Sequence, residues 1–470
     1  TDDGNVQLTQ DGGKTWTNFR GKITGMNTGA WITQVHASRY NEGEAFVVSN
    51  DYRRGDFAIT IFRTKDFGKT WENILANKGL KGYALCMIQD PAEPNLIFVG
   101  TEHGLWVSFD NAKSFQQWKN GYPSVSTYDL AIQEREADLA IATFGRALWI
   151  LDDICPLRAV AKANGASQAN KIKVFDAPTA YQANYRNAPG YEWSTWGLYE
   201  GENRRRGAMV SFFVNHAADT SKAKADSAMV KIFDEVGKQL RSFKVKADSG
   251  FNRMYWNFDT KGNRQPGSPK PRPGAAEQGG GWPVYPGTYK MVVTLGKASD
   301  STMIKVEGDP RAPMAREVYD AKKKMADRWQ AAADKLTAAL DKIADAEETL
   351  TKMDAQLRGV EGKEADSLRN EAKKIRDEIK KIRESISGRS AENRQGITRF
   401  ADITTQSILF NARGEIGNKL AAPTAQTDRL MSEAETAVNE SVTRINEFVT
   451  TKWAAYRKLV ESMPVKLFKD

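Results

Sequence analysis

Cysteine and histidine are both scarce in this chain of 470 residues, and their scarcity excludes several chemistries at once. The two cysteines, Cys86 and Cys155, are too few for a disulfide framework and fit no metal-ligand spacing, so both read as buried or free thiols. The three histidines, His36, His103 and His216, stand far apart, and none pairs with a Cys or Glu at ligand spacing; no metal site is expected. No glycine-rich phosphate loop opens a helix, so no nucleotide cofactor is expected either, and a Ser-His-Asp set has no nucleophile elbow behind it. Long apolar runs are also absent: none reaches the roughly 18 residues that a membrane-crossing helix needs. Charge is nearly balanced, at a net +9, which favours acidic partners only slightly. The basic runs Lys322-Lys323-Lys324 and Lys373-Lys374 have no aromatic residues interleaved. They read as solvated faces, and nucleic acid is not an expected partner.

What is present falls into three segments. The length suits about three domains of roughly 100–200 residues each, and the hydrophobic share of 40% is ordinary for a globular protein. Residues 1–158 read as short strands broken by turns, with a repeat. Thr9-Gln10-Asp11-Gly12-Gly13-Lys14-Thr15-Trp16 aligns with Thr64-Lys65-Asp66-Phe67-Gly68-Lys69-Thr70-Trp71, and in worn form with Ser108-Phe109-Asp110-Asn111-Ala112-Lys113-Ser114-Phe115. This is the Asp-box pattern. Its aspartate (Asp11, Asp66, Asp110) accepts backbone N–H groups in a tight turn, a glycine tolerates positive φ, and its aromatic residue (Trp16, Trp71, Phe115) packs under the hairpin. Repeats at this separation predict the blades of a β-propeller, and the aspartate is structural rather than catalytic.

A second alignment places the other face. Thr1-Asp2-Asp3-Gly4, Thr101-Glu102-His103-Gly104 and Thr143-Phe144-Gly145-Arg146 each precede a strand, at Asn5–Thr9, Leu105–Ser108 and Ala147–Leu151, and in two cases an Asp-box follows. If the box joins the third and fourth strands of a blade, these residues join the second and third, on the opposite face.

Two further runs carry a resemblance. Asp90-Pro91-Ala92-Glu93-Pro94-Asn95-Leu96-Ile97-Phe98-Val99-Gly100-Thr101, continuing to Trp106-Val107-Ser108-Phe109-Asp110, resembles a blade of the sortilin-like (VPS10-type) BNR-repeat propellers. Ala142 to Asp153 resembles the blade that closes such propellers, with Phe144 where relatives carry histidine. The resemblance implies an exported bacterial protein, periplasmic, outer-membrane-associated or extracellular, of the kind labelled glycosyl hydrolase-like after xyloglucanase-type propellers. It also implies several blades ahead of Thr1, with any export signal further upstream.

Residues 171–310 alternate again but hold no Asp-box. Ala228–Asp234 and Leu240–Val245 predict a hairpin around Glu235-Val236-Gly237-Lys238, followed by strands at Asn252–Phe258 and Pro286–Val293. The order resembles a FlgD-like immunoglobulin-type sandwich. Its Pro/Gly-rich stretch 266–287 is either a passive loop or a contact surface anchored by Trp282 and Tyr285.

Residues 313–470 turn to Ala, Lys, Glu, Asp and Arg. Trp329, Leu336, Ile343, Leu350 and Leu357 recur every seven residues beside Met325, Ala332, Ala339, Ala346 and Met353, and Leu368, Ala372, Ile375, Ile379, Ile382 and Ile386 answer them beyond Gly359 and Gly362. An antiparallel coiled-coil hairpin is expected. A short helix is expected over Ile397–Phe410. After Pro423 a last helix is expected to turn Leu430, Ala434, Ala437, Val442, Ile445 and Val449 inward. The fold class is thus multidomain β + α: a partial Asp-box β-propeller, an Ig-like β-sandwich and a helical bundle.

Function follows less directly. Glycoside hydrolysis needs two carboxyl groups across a cleft, and the candidates on the face opposite the boxes are Asp2, Asp3, Glu102 and Asp129. Trp31, Arg53, Arg54, Tyr83, His103, Tyr128 and Arg146 are candidates for stacking on sugars or holding anions. Asp152 and Asp153 end the closing strand or start a cap. With no convergent catalytic set, the leading expectation is a non-catalytic binding or scaffold protein. It takes a glycan or protein on that face and docks a protein partner through the bundle or the Pro/Gly loop. The alternative is a glycoside hydrolase, and a third reading is a structural subunit that oligomerises through its helical hairpin.

Overall fold

The computed structural model describes residues 1–165, 170–183, 205–216, 227–262, 264–272, 280–388, 403–418 and 421–462. Its β-rich first part is organised by three turns built on one chemical plan. In the second, Asp66 Oδ1 accepts the Thr64 hydroxyl at 2.9 Å and the Thr70 N–H at 2.9 Å, while Oδ2 accepts the Thr70 hydroxyl at 2.6 Å. Asp11 and Asp110 make the same bonds with Thr9 and Thr15 and with Ser108 and Ser114. The worn third copy therefore keeps its geometry. Asn111 and Ala112 adopt the positive φ, 56° and 65°, that Gly12 and Gly13 supply in the first copy. Serine serves in place of threonine there, because the turn uses only the hydroxyl.

These turns join third to fourth strands. β1 (Gln7–Leu8) pairs with β2 (Thr17–Asn18). A four-stranded sheet follows, in sequential antiparallel order: β3 (Trp31–Ala37), β4 (Ala45–Asp51), β5 (Asp56–Thr64) and β6 (Glu72–Asn73). A second repeats the order with β7 (Ala84–Gln89), β8 (Ile97–Thr101), β9 (Gly104–Ser108) and β10 (Gln116–Gln117). A third has β11 (Thr127–Gln133), β12 (Asp138–Thr143) and β13 (Leu148–Leu151).

The sheets stack face to face. Val47 and Phe62 of the first sheet pack on Val6, Phe19, Ile23 and Met26 of the β1–β2 unit. Phe46, Val48 and Ile61, on its other face, meet Met87, Ile97, Val99 and Trp106 of the second. Cys86, Phe98, Leu105 and Val107 of the second then meet Leu130, Leu139 and Ile141 of the third. Gly100 is where backbones come closest: a Cβ there would lie 2.4 Å from Cys86 Sγ and 2.6 Å from the Thr127 carbonyl. α1 (Cys155–Lys162) adds Leu157 and Ala161 to the cluster between the second and third sheets, and its Arg158 chelates the fully buried Asp90 at 3.0 Å. α1 runs across residue 158. Asp153, at φ 48°, accepts the Cys155 N–H just ahead of α1, whose N-cap position is Ile154.

The aromatic residues of the boxes divide. Trp71 lies edge-on to Phe19, with centroids 5.8 Å apart, and Phe115 joins the cluster between the first and second sheets. Trp16, expected to pack under its hairpin, is instead 58% exposed. In the second and third boxes the ring rests on the preceding unit, and no preceding unit covers the first among the described residues.

Arg253 carries the chain's second part. It donates to the carbonyls of Asp152 and Asp153 (2.6 and 3.0 Å) and to Ser211. That part is a two-sheet sandwich, built from β14 (Ile172–Val174), β15 (Ala180–Gln182), β16 (Ala208–Val214), β17 (Ser227–Phe233), β18 (Gln239–Lys246), β19 (Gly250–Trp256), β20 (Gly287–Leu295) and β21 (Ala298–Gly308). The sheet orders are β14-β16-β19 and β15-β21-β20-β17-β18, closing on a core around Trp256, Phe212, Met291 and Ile304. The expected hairpin is β17–β18, its turn held by Asp234 Oδ1 on the Lys238 N–H at 2.8 Å.

The Pro/Gly stretch, where described, is a contact surface and not a passive loop. Trp282 meets Trp329 edge-on at 5.7 Å, Tyr285 meets Tyr319 at 5.7 Å, and Lys270 pairs with Asp345 at 2.7 Å. The surface it contacts is this chain's own bundle; residues 273–279 of the stretch lie outside the described residues.

The bundle comprises α2 (Arg316–Leu357), α3 (Lys363–Ser387), α4 (Thr405–Asn418), α5 (Ala425–Phe448) and α6 (Ala454–Ser462), with a π-helical turn at Val449–Trp453. Arg383–Glu347 and Arg369–Leu357 contacts set α3 antiparallel to α2, as expected. Arg328–Glu435 and Lys342–Asn446 contacts set α5 parallel to it. The α2 and α3 stripes are buried as the heptads require, except that Met325 and Met353, at the two ends of the second α2 stripe, are half-buried. In α5, Ala434, Val442 and Ile445 face inward as expected, together with Met431, Val438 and Phe448, while Leu430, Ala437 and Val449 are half-buried. Met431, Val438 and Phe448 take the inward places expected of their neighbours Leu430, Ala437 and Val449, so the steps of three and four are kept with local shifts of one residue. The short helix also starts later, at Thr405, and extends to Asn418; residues 397–402 lie outside the described residues.

Hydrogen bonds from Thr15 and Thr70 hold the Asp11 and Asp66 carboxyls down at about 2, against an ordinary 3.8. A carboxyl lowered in the folded state stabilises the fold above its unfolded value, and that stability is lost as pH falls from about 4 towards about 2. The melting temperature should therefore drop over that window, and Asp66→Asn should melt lower at neutral pH with a shallower acid drop; equal slopes in a pH series would refute this. A second measurement concerns the close approach of the sheets. Gly100→Ala should lose about 3 kcal/mol in urea unfolding, because neither Thr127 backbone nor Cys86 can withdraw.

Candidate functional site

Sequential strand order in the two full sheets puts the Asp-box turns at one end and the second-to-third-strand connections at the other. That opposite rim also receives the start of each first strand, where β3, β7 and β11 all carry a bulge, between Ile32 and Gln34, Ala84 and Cys86, and Thr127 and Asp129. A bulge re-aims the side chains beside it. Here the residues beside it are Trp31, Tyr83 and Tyr128.

The rim is aromatic. Tyr52, in the first sheet's connection, stacks on Tyr83 of the second at 4.5 Å and 13°, and tilts against Trp31 at 6.2 Å. Arg53 lies over the Trp31 ring at 4.0 Å. Tyr128 and Phe144 of the third sheet stack at 5.5 Å, exposed by 42% and 71%. Burial pushes the Tyr83 phenol up, and the nearby Glu102, Tyr52 and Tyr128 add to it. The band thus crosses three successive sheets, with a cation at one end and flat, partly open faces along it. Such surfaces hold flat apolar faces of a polar ligand, as sugar rings present, and cations by their π-clouds.

The remaining candidates sit at or near this rim in different states. His103 Nε2 is 3.7 Å from Glu102 Oε2, and the Glu102 carbonyl accepts the Ser126 hydroxyl at 3.0 Å, so this connection is bound to the next sheet. Arg54 is turned away from the aromatic band: it chelates Asp51 at 2.7 and 2.8 Å and donates to the Thr28 carbonyl. Arg146 accepts the Trp149 indole N–H on its carbonyl at 2.9 Å.

Each carboxylate is held locally or faces water. Asp3 accepts the Asn5 N–H at 3.2 Å; burial works to raise its carboxyl, but the Asn5 and Thr1 hydrogen bonds outweigh it and keep the group below its ordinary range. That is the opposite of what a general acid requires. Asp129 is exposed and accepts the N–H of its neighbour Leu130 at 2.9 Å; Asp2 is exposed. The described residues contain no group of three or more His, Cys, Asp or Glu able to hold a metal. Cys86 is buried and Cys155 exposed, both free, and burial drives the Cys86 thiol far up.

Sequence reasoning misses Tyr52. It stands in Asp51-Tyr52-Arg53-Arg54-Gly55, the connection equivalent to Thr101–Gly104, and aligning the two stretches would find it. Phe144 stands out in the sequence only as a departure from a family pattern, yet it supplies the most exposed ring of the band.

No protein-family model matches the chain, and no curated protein does. Among solved structures, a GH74 xyloglucanase from Xanthomonas campestris shares 11% identity over 64% of this chain and 42% of its own, with a TM-score of 0.27. An ancestral GH74 enzyme shares 18% identity over 24% of this chain and 14% of its own, with a TM-score of 0.20. The chain therefore spans less than half the length of either. Likenesses this remote assign no activity. No helix among the described residues is long and apolar enough to cross a membrane.

A cleft of about 540 Å³ lies elsewhere, between the second sheet and the sandwich, lined by Trp118, Phe251 and Arg253. Arg253 is already engaged there by Asp152, Asp153 and Ser211, which makes it a joint between parts of the chain.

The band should be thermodynamically inexpensive to dismantle. Tyr52→Ala should cost about 1 kcal/mol in denaturant unfolding, since Tyr52 is half-exposed and its stack is worth about 0.5–1.5 kcal/mol. A loss above about 3 kcal/mol would make it a core residue instead.

Proposed function

We propose that this chain is part of a non-catalytic glycan-binding protein whose three β-sheets are blades of an Asp-box propeller and whose ligand lies across the rim opposite the boxes. The observation that carries the reading is the aromatic rim: the Trp31–Tyr52–Tyr83 cluster with Arg53 over Trp31, and beside it on the next sheet the exposed Tyr128–Phe144 stack. Exposed apolar patches on a soluble surface mark interaction sites, and Tyr128 and Phe144 form one here. The sandwich and bundle act as a rigid extension, joined to the blades through Arg253 and to one another through Trp282 and Tyr285, and are free to dock a protein partner on their outer faces. An exported setting fits this reading, and so does the sortilin-like BNR resemblance of residues 90–110 and 142–153.

The test is a glycan array followed by titration calorimetry on the best hit. Tyr83→Ala and Trp31→Ala should each weaken binding at least about tenfold, or ~1.4 kcal/mol, while Arg54→Ala leaves it unchanged. Release of reducing ends from a polysaccharide, abolished by Glu102→Gln or Asp129→Asn, would replace this reading with glycoside hydrolysis. Absence of any glycan affinity would leave a protein ligand for the rim.

A further inference from the structure

Among the described residues the two outer faces of the sandwich differ in what covers them. On the three-stranded sheet, Phe251 and Arg253 of β19 face the blades, meeting Trp118 and the Asp152 and Asp153 carbonyls. The bundle meets the sandwich elsewhere, through Trp282 and Tyr285 ahead of β20. The outer face of the five-stranded sheet is open, with Met303 54% exposed on it. Val230 and Ile232 of β17, Met291 of β20 and Ile304 of β21 point into the core. Strand alternation therefore sends Lys231, Lys244, Lys290 and Lys305 outward, and all four are exposed.

Register sets these lysines in a line. Lys244 of β18 lies opposite Met229, and Lys231 is two residues further along β17. Lys231 lies opposite Val292, and Lys290 stands two residues before it on β20. Lys290 lies opposite Met303, and Lys305 stands two residues beyond it on β21. Each step is one strand across and two residues along, always in the same sense, a diagonal of about 7–8 Å. Directly across the strands the lysines meet Met229, Ser242, Val292, Phe233, Met303 and Thr288, and no acid. At one end Lys305 pairs with Glu307 at 2.6 Å. Lys231, Lys244 and Lys290 have no ion pair among the described residues.

Edge protection accounts for Lys244, since β18 ends its sheet and lysine keeps a further strand from pairing there. It does not account for Lys231 and Lys290, which stand on interior strands, where lysine is disfavoured and no edge needs guarding. We infer that the stripe binds a linear acidic polysaccharide, whose successive anionic groups lie along Lys244, Lys231, Lys290 and Lys305. A line of cations fits a chain better than it fits the rounded surface of a folded protein. Lysine supplies point charges, suited to carboxylates or sulfates that arrive without one fixed orientation. The hydroxyls of Ser242, Ser301 and Thr288 beside the stripe suit a polymer rich in hydroxyls. Between the lysines stand Met229, Val292, Met303 and a half-buried Phe233, rather than the open rings on which the bases of a nucleic acid stack. The stripe is separate from the aromatic rim, and neither site needs the other.

The test is biolayer interferometry of the 470-residue chain on polygalacturonate, on dextran sulfate and on neutral dextran, at about 50 and about 200 mM salt. Binding is expected to at least one charged polymer and not to dextran, and it should weaken at the higher salt. A preference for polygalacturonate assigns carboxylates to the stripe, and a preference for dextran sulfate assigns sulfates. Lys231→Gln with Lys290→Gln should weaken binding at least about tenfold. Lys373→Gln with Lys374→Gln, which removes the same charge from exposed positions of α3, should leave it unchanged. Equal losses in the two double variants would overturn the inference, because net charge alone would then explain the affinity. So would binding to neither charged polymer, binding insensitive to salt, or tighter binding to polyglutamate or duplex DNA than to both polysaccharides. None of these variants touches the rim, so failure here is distinct from failure of the ligand reading there.

Discussion

One carboxylate, used three times, governs the β-rich part of this protein. By accepting two N–H or O–H groups four residues ahead and a hydroxyl two residues behind, Asp11, Asp66 and Asp110 return the chain from a third strand to a fourth through the same turn. Because the turn is constant, successive sheets are alike, and alike sheets stack with their connections in register. The rim that carries Trp31, Tyr52, Tyr83, Tyr128 and Phe144 is a consequence of this. No bond runs from the boxes to the rim; the antiparallel order of strands puts one at each end.

Stacking then leaves a joining problem, which the chain solves with buried polar contacts at few places. Asp90 is fully buried and is bound by Arg158 and by the N–H groups of Ala92 and Glu93, so α1 is locked to the second sheet and not only to the third. Removing one partner of such a pair strands the other, which is why pairs of this sort define an arrangement more sharply than apolar contact does. Arg253 repeats the device on main-chain carbonyls, and the ring pairs Trp282–Trp329 and Tyr285–Tyr319 do so with apolar area.

Much of this is legible in the amino-acid sequence. The Asp-box spacing, the hairpin at Glu235–Lys238 and the heptads of α2 and α3 each follow a local rule, of turn chemistry or of period, and each forms as that rule predicts. The expectations that fail depend on neighbours. Trp16 carries the same motif as Trp71, but its burial is decided by a unit that packs on it. Three places of the α5 stripe are taken by neighbours of the expected residues, because pairs such as Leu430 and Met431 are equally apolar and only contact with α2 and α4 chooses between them. Arg53 and Arg54 are adjacent and chemically identical, yet one lies over Trp31 and the other is clamped by Asp51.

What the amino-acid sequence determined by itself is therefore the set of elements and the face on which each candidate stands, since turns, strand alternation and heptads are properties of a few consecutive residues. What only the tertiary structure decided is which candidates meet. Tyr52 and Tyr83 are separated by a whole sheet's worth of chain and touch because two sheets stack; Asp2, Asp3, Glu102 and Asp129 share a face in sequence logic, but Asp3, Glu102 and Asp129 are engaged by their own neighbours and Asp2 is exposed. Contact between distant residues depends on the angle and spacing of whole sheets, a quantity summed over dozens of packed side chains, and no short stretch of sequence encodes it.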